Sequence, residues 1–153
     1  MILRTHLAFA FLVGLLFLKY SSGNKILFMF LVLLSSVISD VDHPRSKIGS
    51  KLILISKPFN FLFGHRKLFH SILLIVILSL GFWWFFGNFW IAVFIGYMSH
   101  VLLDMFTRNG VEIFYPFKKI NLKGFIYTGG RLEKILFYLL LVLIVLRIVK
   151  LIS

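Results

Sequence analysis

The chain has 153 residues, 60% hydrophobic and 18% aromatic, with a mean hydropathy of +1.00 and a charged fraction of only 14%. A soluble domain of this size leaves too much of its area in water to hide that apolar content, so composition excludes a soluble globule and assigns residues 1–153 to lipid as one integral membrane domain. The formal charge of +12 would suggest nucleic acid in a soluble protein, but Lys and Arg lie between apolar runs, where topology and anionic headgroups account for them and no nucleic-acid partner is expected.

Five apolar segments follow in chain order: Thr5 to Tyr20, Ile26 to Ser39, Leu68 to Phe86, Phe89 to Leu103 and Ile135 to Ile152. A spanning helix takes about 20 residues. The second and fourth runs are short by that measure, which puts their polar ends, Asp40 to His43 and His100 to Asp104, inside the membrane boundary. A sixth stretch, residues 52–63, is interrupted by Lys57 and Pro58 and reads as an interfacial or re-entrant helix. The expected fold is all-α, a polytopic membrane helix bundle of about five transmembrane helices.

Basic residues orient the bundle. With the N-terminus inside, the inner connections hold 13 of the 17 Lys and Arg, and the outer side keeps Lys19, Lys25, Arg147 and Lys150. The uncharged connection Gly81 to Asn88, rich in Trp and Phe, resembles an outer aromatic belt. The C-terminus is then outside, and the protein belongs in the inner, cytoplasmic membrane. Arg4, an apolar run and Ser21-Ser22-Gly23 together resemble a secretory signal peptide, but an Ala-x-Ala cleavage site is absent and a retained first helix is expected.

In this orientation all five histidines and all five acids fall on the inner face. Ionisable groups at membrane depth are expensive and usually functional. His100 and Asp104 are four apart and share a helix face, as two ligands of one metal or as a buried His to Asp hydrogen bond. Asp40-Val41-Asp42-His43-Pro44 ends the second helix; Pro44 biases His43 toward an extended conformation, and in an extended stretch Asp40 and Asp42 aim at one cation. The plainer alternative is a solvated acidic turn. His65 and His70, five apart, face one centre if His65 lies in the Gly64 turn and His70 in the first helical turn. Arg66 and Lys67 between them, and Arg45 beyond Pro44, are candidates for gripping an anionic headgroup, or else basic interfacial anchors. His6, considered singly, is more often a snorkelling interfacial residue than a ligand.

Electrostatics strengthens the joint case. Two carboxylates about 4 Å apart repel by roughly 4 kcal/mol at an effective dielectric of 20. Gathering Asp40, Asp42 and Asp104 therefore calls for cations or raised pKa values. Imidazoles bias the cation toward zinc, with manganese or iron next, and the absence of cysteine points away from a closed structural zinc site. The expected metal ligands are His6, Asp40, Asp42, His65, His70, His100 and Asp104, as one ion or more. Asp42 or His43 serves as proton acceptor. Glu133 caps the last helix or adds a ligand.

These residues also carry a family resemblance. The order His6, Ser39-Asp40-Val41-Asp42-His43-Pro44-Arg45-Ser46, His65-Arg66, Phe69-His70-Ser71, Gly96-Tyr97-Met98-Ser99-His100, Leu103-Asp104, Thr107-Arg108-Asn109-Gly110 and Tyr115-Pro116-Phe117 resembles the YdjM family of membrane-bound, metal-dependent hydrolases. Ile38-Ser39 stand where that family usually has Leu-Pro, Lys67 where it has Gly and Phe69 where it has Thr, with every expected ligand kept. More distantly, the family is similar to zinc-dependent phospholipase C and P1-type nucleases, in which His-x-x-x-Asp corresponds to His100 and Asp104 here.

The resemblance implies a hydrolase. The residues add a site at the cytoplasmic face that takes a phospholipid or another phosphoester, with membrane lipids as partners and oligomeric state open. A small metal or proton transporter and a non-catalytic, metal-organised adaptor are the alternatives. The apolar helix centres, such as Leu73 to Leu80, speak against conduction.

Overall fold

In lipid every main-chain polar group must find a partner within the chain, and this sequence meets that demand with helices. In the computed structural model, which describes all residues except Ser22, Arg45, Lys47, Ile48, Gly64, His65 and Ser153, and only the main chain of Asp42, Ile55, Phe59 and Phe63, they are α1 (Leu3–Phe17), α2 (Lys25–Ile38), α3 (Ile53–Phe63), α4 (Ile72–Phe86), α5 (Trp90–Met105) and α6 (Arg131–Ile152). Local chemistry fixes several ends. Asn24 caps α2, its side chain accepting from the N–H groups of Ile26 and Leu27, and Ser71 caps α4 by accepting from Leu74. Gly87, at φ +57, stops α4 and turns the chain back into α5.

Three helical runs are long and apolar enough to cross a membrane: Leu3–Tyr20, Ile72–Met105 and Arg131–Ile152. The second of these is the α4–α5 pair. With 14, 15 and 16 residues, α2, α4 and α5 are each about 21–24 Å long, short of a hydrocarbon core of about 30 Å. The Trp and Phe residues expected in a connection at Gly81 to Asn88 mostly belong to the last turns of α4, where Trp83, Trp84, Phe85 and Phe86 are exposed. The interrupted stretch at 52–63 is a helix despite Pro58, with Leu54, Phe61 and Leu62 exposed along it.

Packing is centred on α5, which contacts α1, α2 and α4, while α6 lies against α1. Ala10, Phe28, Val32, Ala92 and Ile95 join α1, α2 and α5 in one core. Gly96 lets α2 and α5 approach closely, because a Cβ there would overlap the carbonyl of Val32 and the hydroxyl of Ser35. Ile75, Tyr97, Val101, Val111 and Ile113 seal α4 and α5 against the connection that follows α5. Ala8, Leu12 and Leu140 seat α6 on α1.

Residues 106–130 form an ordered irregular connection. Thr107 bridges to Ile126 and Val111 to Leu122, and the N–H of Ile72 donates to the carbonyl of Ile113 at 2.9 Å. This connection closes the end of the bundle where α1, α4 and α6 begin and α2 and α5 finish. The expected site residues gather at that end.

Candidate metal centre

Asp104, in the last turn of α5, is the hub. Its Oδ1 meets the amino group of Met1 and lies 3.3 Å from His6 Nε2. Its Oδ2 lies 3.0 Å from the Arg66 guanidinium, 3.5 Å from His70 Nε2 and 3.8 Å from His100 Nε2. His100 Nε2 is also 3.6 Å from Asp40 Oδ1. Asp104 is 1% exposed and His100 0% exposed, so this charge cluster is held away from solvent, where a carboxylate must be compensated.

Several segments supply these groups. The i, i+4 spacing on α5 puts His100 and Asp104 on one face, one turn apart. His6 enters from the first turns of α1, and its ring stacks on that of His100 at 3.7 Å between centroids and 8° between planes. His70 closes a single 3₁₀ turn, Leu68–His70, that Tyr97 fastens to α5 by donating its hydroxyl hydrogen to the carbonyl of Phe69 at 2.7 Å. The ring of His70 meets His100 edge-on at 5.3 Å.

Asp40 arrives differently from expectation. Residues Ser39–Asp42 continue α2 as a 3₁₀ turn and are not extended. At three residues per turn, the main chain at positions 40 and 42 is not in the extended register expected there. Pro44 constrains only its neighbour: His43 alone is extended, at φ −106 and ψ 103. Ser46 ties the turn down by donating to the carbonyl of Asp40 at 2.8 Å. The ligand and proton-acceptor roles expected of the Asp42 side chain, the His65 ligand and the Arg45 contact lie outside the described residues.

A divalent metal fits what is present. All four ring nitrogens of His6 and His100 are buried without a hydrogen-bond partner among the described residues. The 3.3 Å approach of His6 to Asp104 lacks hydrogen-bond alignment. Buried polar atoms are normally satisfied; each neutral imidazole carries one lone pair and one N–H, and a cation beside Asp104 would take the lone pair of each ring. Two groups have their donor atoms within 4.8 Å of one another: His6, His100 and Asp104, and Asp40, His70 and His100. His100 reaches both Asp40 and Asp104 through the same Nε2. The two groups thus share His100 and together involve five residues, His6, Asp40, His70, His100 and Asp104.

Beside the centre lies a cavity of about 370 Å³ lined by Met1, Asp40, His43, Ser46, Arg66, Asn109 and Thr128, among others. Arg66 does reach the site, but its guanidinium is paired with Asp104 and also donates to the Thr107 hydroxyl at 3.0 Å. Lys67 does not line the cavity. Thr107, beside Arg66, and Asn109 and Thr128, on the cavity wall, are site residues beyond those expected. Thr107 and Asn109 lie in the Thr107-Arg108-Asn109-Gly110 motif just past α5, and no local pattern marks Thr128, which precedes α6.

Glu133 is occupied elsewhere. Its Oε1 accepts from the N–H of Ile2 at 2.6 Å and the hydroxyl of Thr5 at 2.9 Å, and its Oε2 from the N–H of Gly129 at 2.6 Å. It therefore caps the start of α6 and fastens the start of α1, placing His6 without joining the donor groups. Glu133→Ala is expected to cost about 2–4 kcal/mol, since three hydrogen bonds to a buried carboxylate vanish and two main-chain donors lose their partner. A shift in the SDS-unfolding midpoint reads this directly, and Glu133→Gln should recover part of it.

The chain is similar to known proteins. It is 36% identical over 91 residues to the inner membrane protein YdjM of Escherichia coli (strain K12), covering 55% of this chain and 46% of that protein. It is 32% identical over 109 residues to the Bacillus subtilis (strain 168) protein named "Uncharacterized protein YvsG", covering 65% of this chain and 64% of that one. The chain thus spans less than two thirds of the length of these relatives. No solved structure matches it. The family described as "YdjM inner membrane protein" matches residues 1–152, and the chain belongs to that family of membrane proteins.

Proposed function

We propose that the protein is a metal-dependent hydrolase of the inner membrane, with its N-terminus and its site on the cytoplasmic face, acting on a phospholipid or another phosphoester. The observation that carries this reading is the stacked His6–His100 pair, whose four ring nitrogens are buried and unsatisfied against Asp104. His6, Asp40, His70, His100 and Asp104 would hold one divalent ion, zinc before manganese or iron because imidazoles outnumber carboxylates.

The chemistry such an ion supplies is Lewis acidity, which polarises an ester oxygen and acidifies water at neutral pH. The chain's own groups do the rest. His43, on the cavity wall, is the proton acceptor. Asp104 and Asp40 fix the imidazoles against rotation. The 370 Å³ cavity admits a headgroup-sized ester beside these residues. Conduction is the weaker reading: the layer beyond the site, Ala10, Phe28, Val32, Ala92 and Ile95, is apolar and offers no titratable group for a relay.

The test uses the purified full chain in detergent with bis(p-nitrophenyl) phosphate and with diacyl phospholipids. Turnover that chelation abolishes and zinc or manganese restores is expected. A protein that retains metal yet turns over none of these esters would instead be a metal-organised adaptor.

A further inference from the structure

Arg147 is a charged residue inside a membrane-crossing run. Counted from Arg131, where that run starts, it lies about 24 Å along α6, short of the roughly 30 Å that a hydrocarbon core spans. A charge at that depth is expensive and takes a partner. The hydrogen bond it makes among the described residues is to the carbonyl of Leu15, which accepts from its Nη2 at 3.4 Å, while its Nε is buried without one. That carbonyl belongs to the last turn of α1, where the free carbonyls of a helix end offer only partial negative charge.

The register of the two helices brings further cations to the same level. α1 and α6 begin at the same end and run parallel, pairing Thr5 with Glu133, Leu12 with Leu140 and Leu15 with Arg147. Lys150, three residues past Arg147, lies on its side of α6. Lys19 lies one turn past Leu15, with its Nζ 4.9 Å from the centroid of the Tyr20 ring. Both lysines are exposed. Lys25, at the start of α2, adds a fourth positive charge to that end of the bundle. None of the five acidic side chains is there. Asp40 and Asp42 follow α2, Asp104 ends α5, Glu112 lies in the connection after α5 and Glu133 starts α6, all at the end that holds the candidate metal centre. The chain therefore brings no carboxylate side chain to this cluster, and its counter-charge comes from outside.

We propose that Arg147, with Lys150 and Lys19, binds the phosphate of an anionic phospholipid at the end of the bundle opposite the candidate metal centre. The site does not depend on the metal reading. A guanidinium below the membrane surface reaches toward it along its aliphatic stem, and headgroup phosphates are the anions it meets there. Its planar fork engages two phosphate oxygens at once while Nη2 stays on the Leu15 carbonyl. The two ammonium groups add attraction for the net negative charge that distinguishes phosphatidylglycerol from a zwitterionic lipid. A headgroup held there ties α6 to α1 at one end, as Glu133 ties them at the other through Ile2 and Thr5.

Native mass spectrometry of the full chain in detergent, titrated with phosphatidylglycerol and separately with phosphatidylcholine, tests this by counting lipids bound per chain. Wild type should bind its first phosphatidylglycerol about tenfold more tightly than phosphatidylcholine. Arg147→Gln should lose that preference and bind one phosphatidylglycerol fewer per chain. Lys150→Gln changes an exposed side chain and leaves the packing intact, so it decides the matter even if Arg147→Gln folds poorly. It should weaken the first lipid about fivefold, which corresponds to the roughly 1 kcal/mol that one basic residue contributes near a lipid surface. Lys118→Gln with Lys119→Gln, exposed at the other end of the bundle, should leave this lipid bound as in wild type. Wild type that binds the two lipids alike overturns the proposal, as does a wild-type phosphatidylglycerol affinity in Arg147→Gln and Lys150→Gln. Displacement of the lipid by orthophosphate overturns the lipid as the source and identifies free phosphate.

Discussion

Asp104→Asn is expected to destabilise the protein by about 3–5 kcal/mol and to remove metal binding in the same step. The Asp104 carboxylate, 1% exposed, faces the Met1 amino group, the Arg66 guanidinium and the imidazoles of His6, His70 and His100, and amide replacement removes the negative charge they share. Breaking a buried ion pair from one side costs this much because the orphaned charge stays behind. Adding Arg66→Gln should return part of the loss, since the double variant no longer holds a guanidinium against a site that has lost its carboxylate. SDS unfolding of the single and double variants measures the first effect, and metal retention on gel filtration the second. Unchanged unfolding of Asp104→Asn would show that the buried charge cluster contributes nothing to the fold.

His100→Leu should separate metal binding from stability in the opposite direction. His100 is the residue common to both donor groups, so its loss should lower metal affinity by at least about 100-fold, beyond the 10–100-fold typical of residues that only support a ligand. Yet its ring nitrogens contribute no hydrogen bond among the described residues, and burying them unsatisfied is a cost to the fold. Leu fills a similar volume without that cost. After chelation, His100→Leu should unfold no earlier than chelated wild type, and wild type alone should gain stability when metal is returned, by about 2.7 kcal/mol at a free ion concentration 100 times its Kd. A residue kept at the expense of stability is what a functional centre requires. A variant that unfolds several kcal/mol earlier in chelator would make His100 a structural residue.

Much of this centre is legible in the linear sequence because it lies at helix ends. The four-residue spacing of His100 and Asp104 defines a face before any tertiary contact is known, and the parity of the apolar runs brings His6, Asp40 and His70 to the same end of the bundle. What local pattern does not carry is pairing across long separations. Arg66 reads as a headgroup anchor in sequence, whereas its partner is a carboxylate 38 positions later, delivered by the packing of the 106–130 connection. The same applies to Glu133, whose partners Ile2 and Thr5 lie at the other end of the chain. The turn at Asp40 misleads for a local reason: proline restricts the residue before it, not the two before that, so Ser39–Asp42 remains helical while His43 alone extends. Length and composition mark three helical runs as able to cross a membrane, Leu3–Tyr20, Ile72–Met105 and Arg131–Ile152, and the second contains the turn at Gly87 between α4 and α5, so the number of crossings is not a matter of counting apolar runs.

The central claim is a single divalent centre built on His100. Elemental analysis of the purified full chain, reconstituted with zinc or manganese and freed of excess ion, tests it most directly alongside His100→Leu. One ion per wild-type chain and none in the variant is the predicted result. Wild type without metal, or a variant that keeps the wild-type complement, would contradict it.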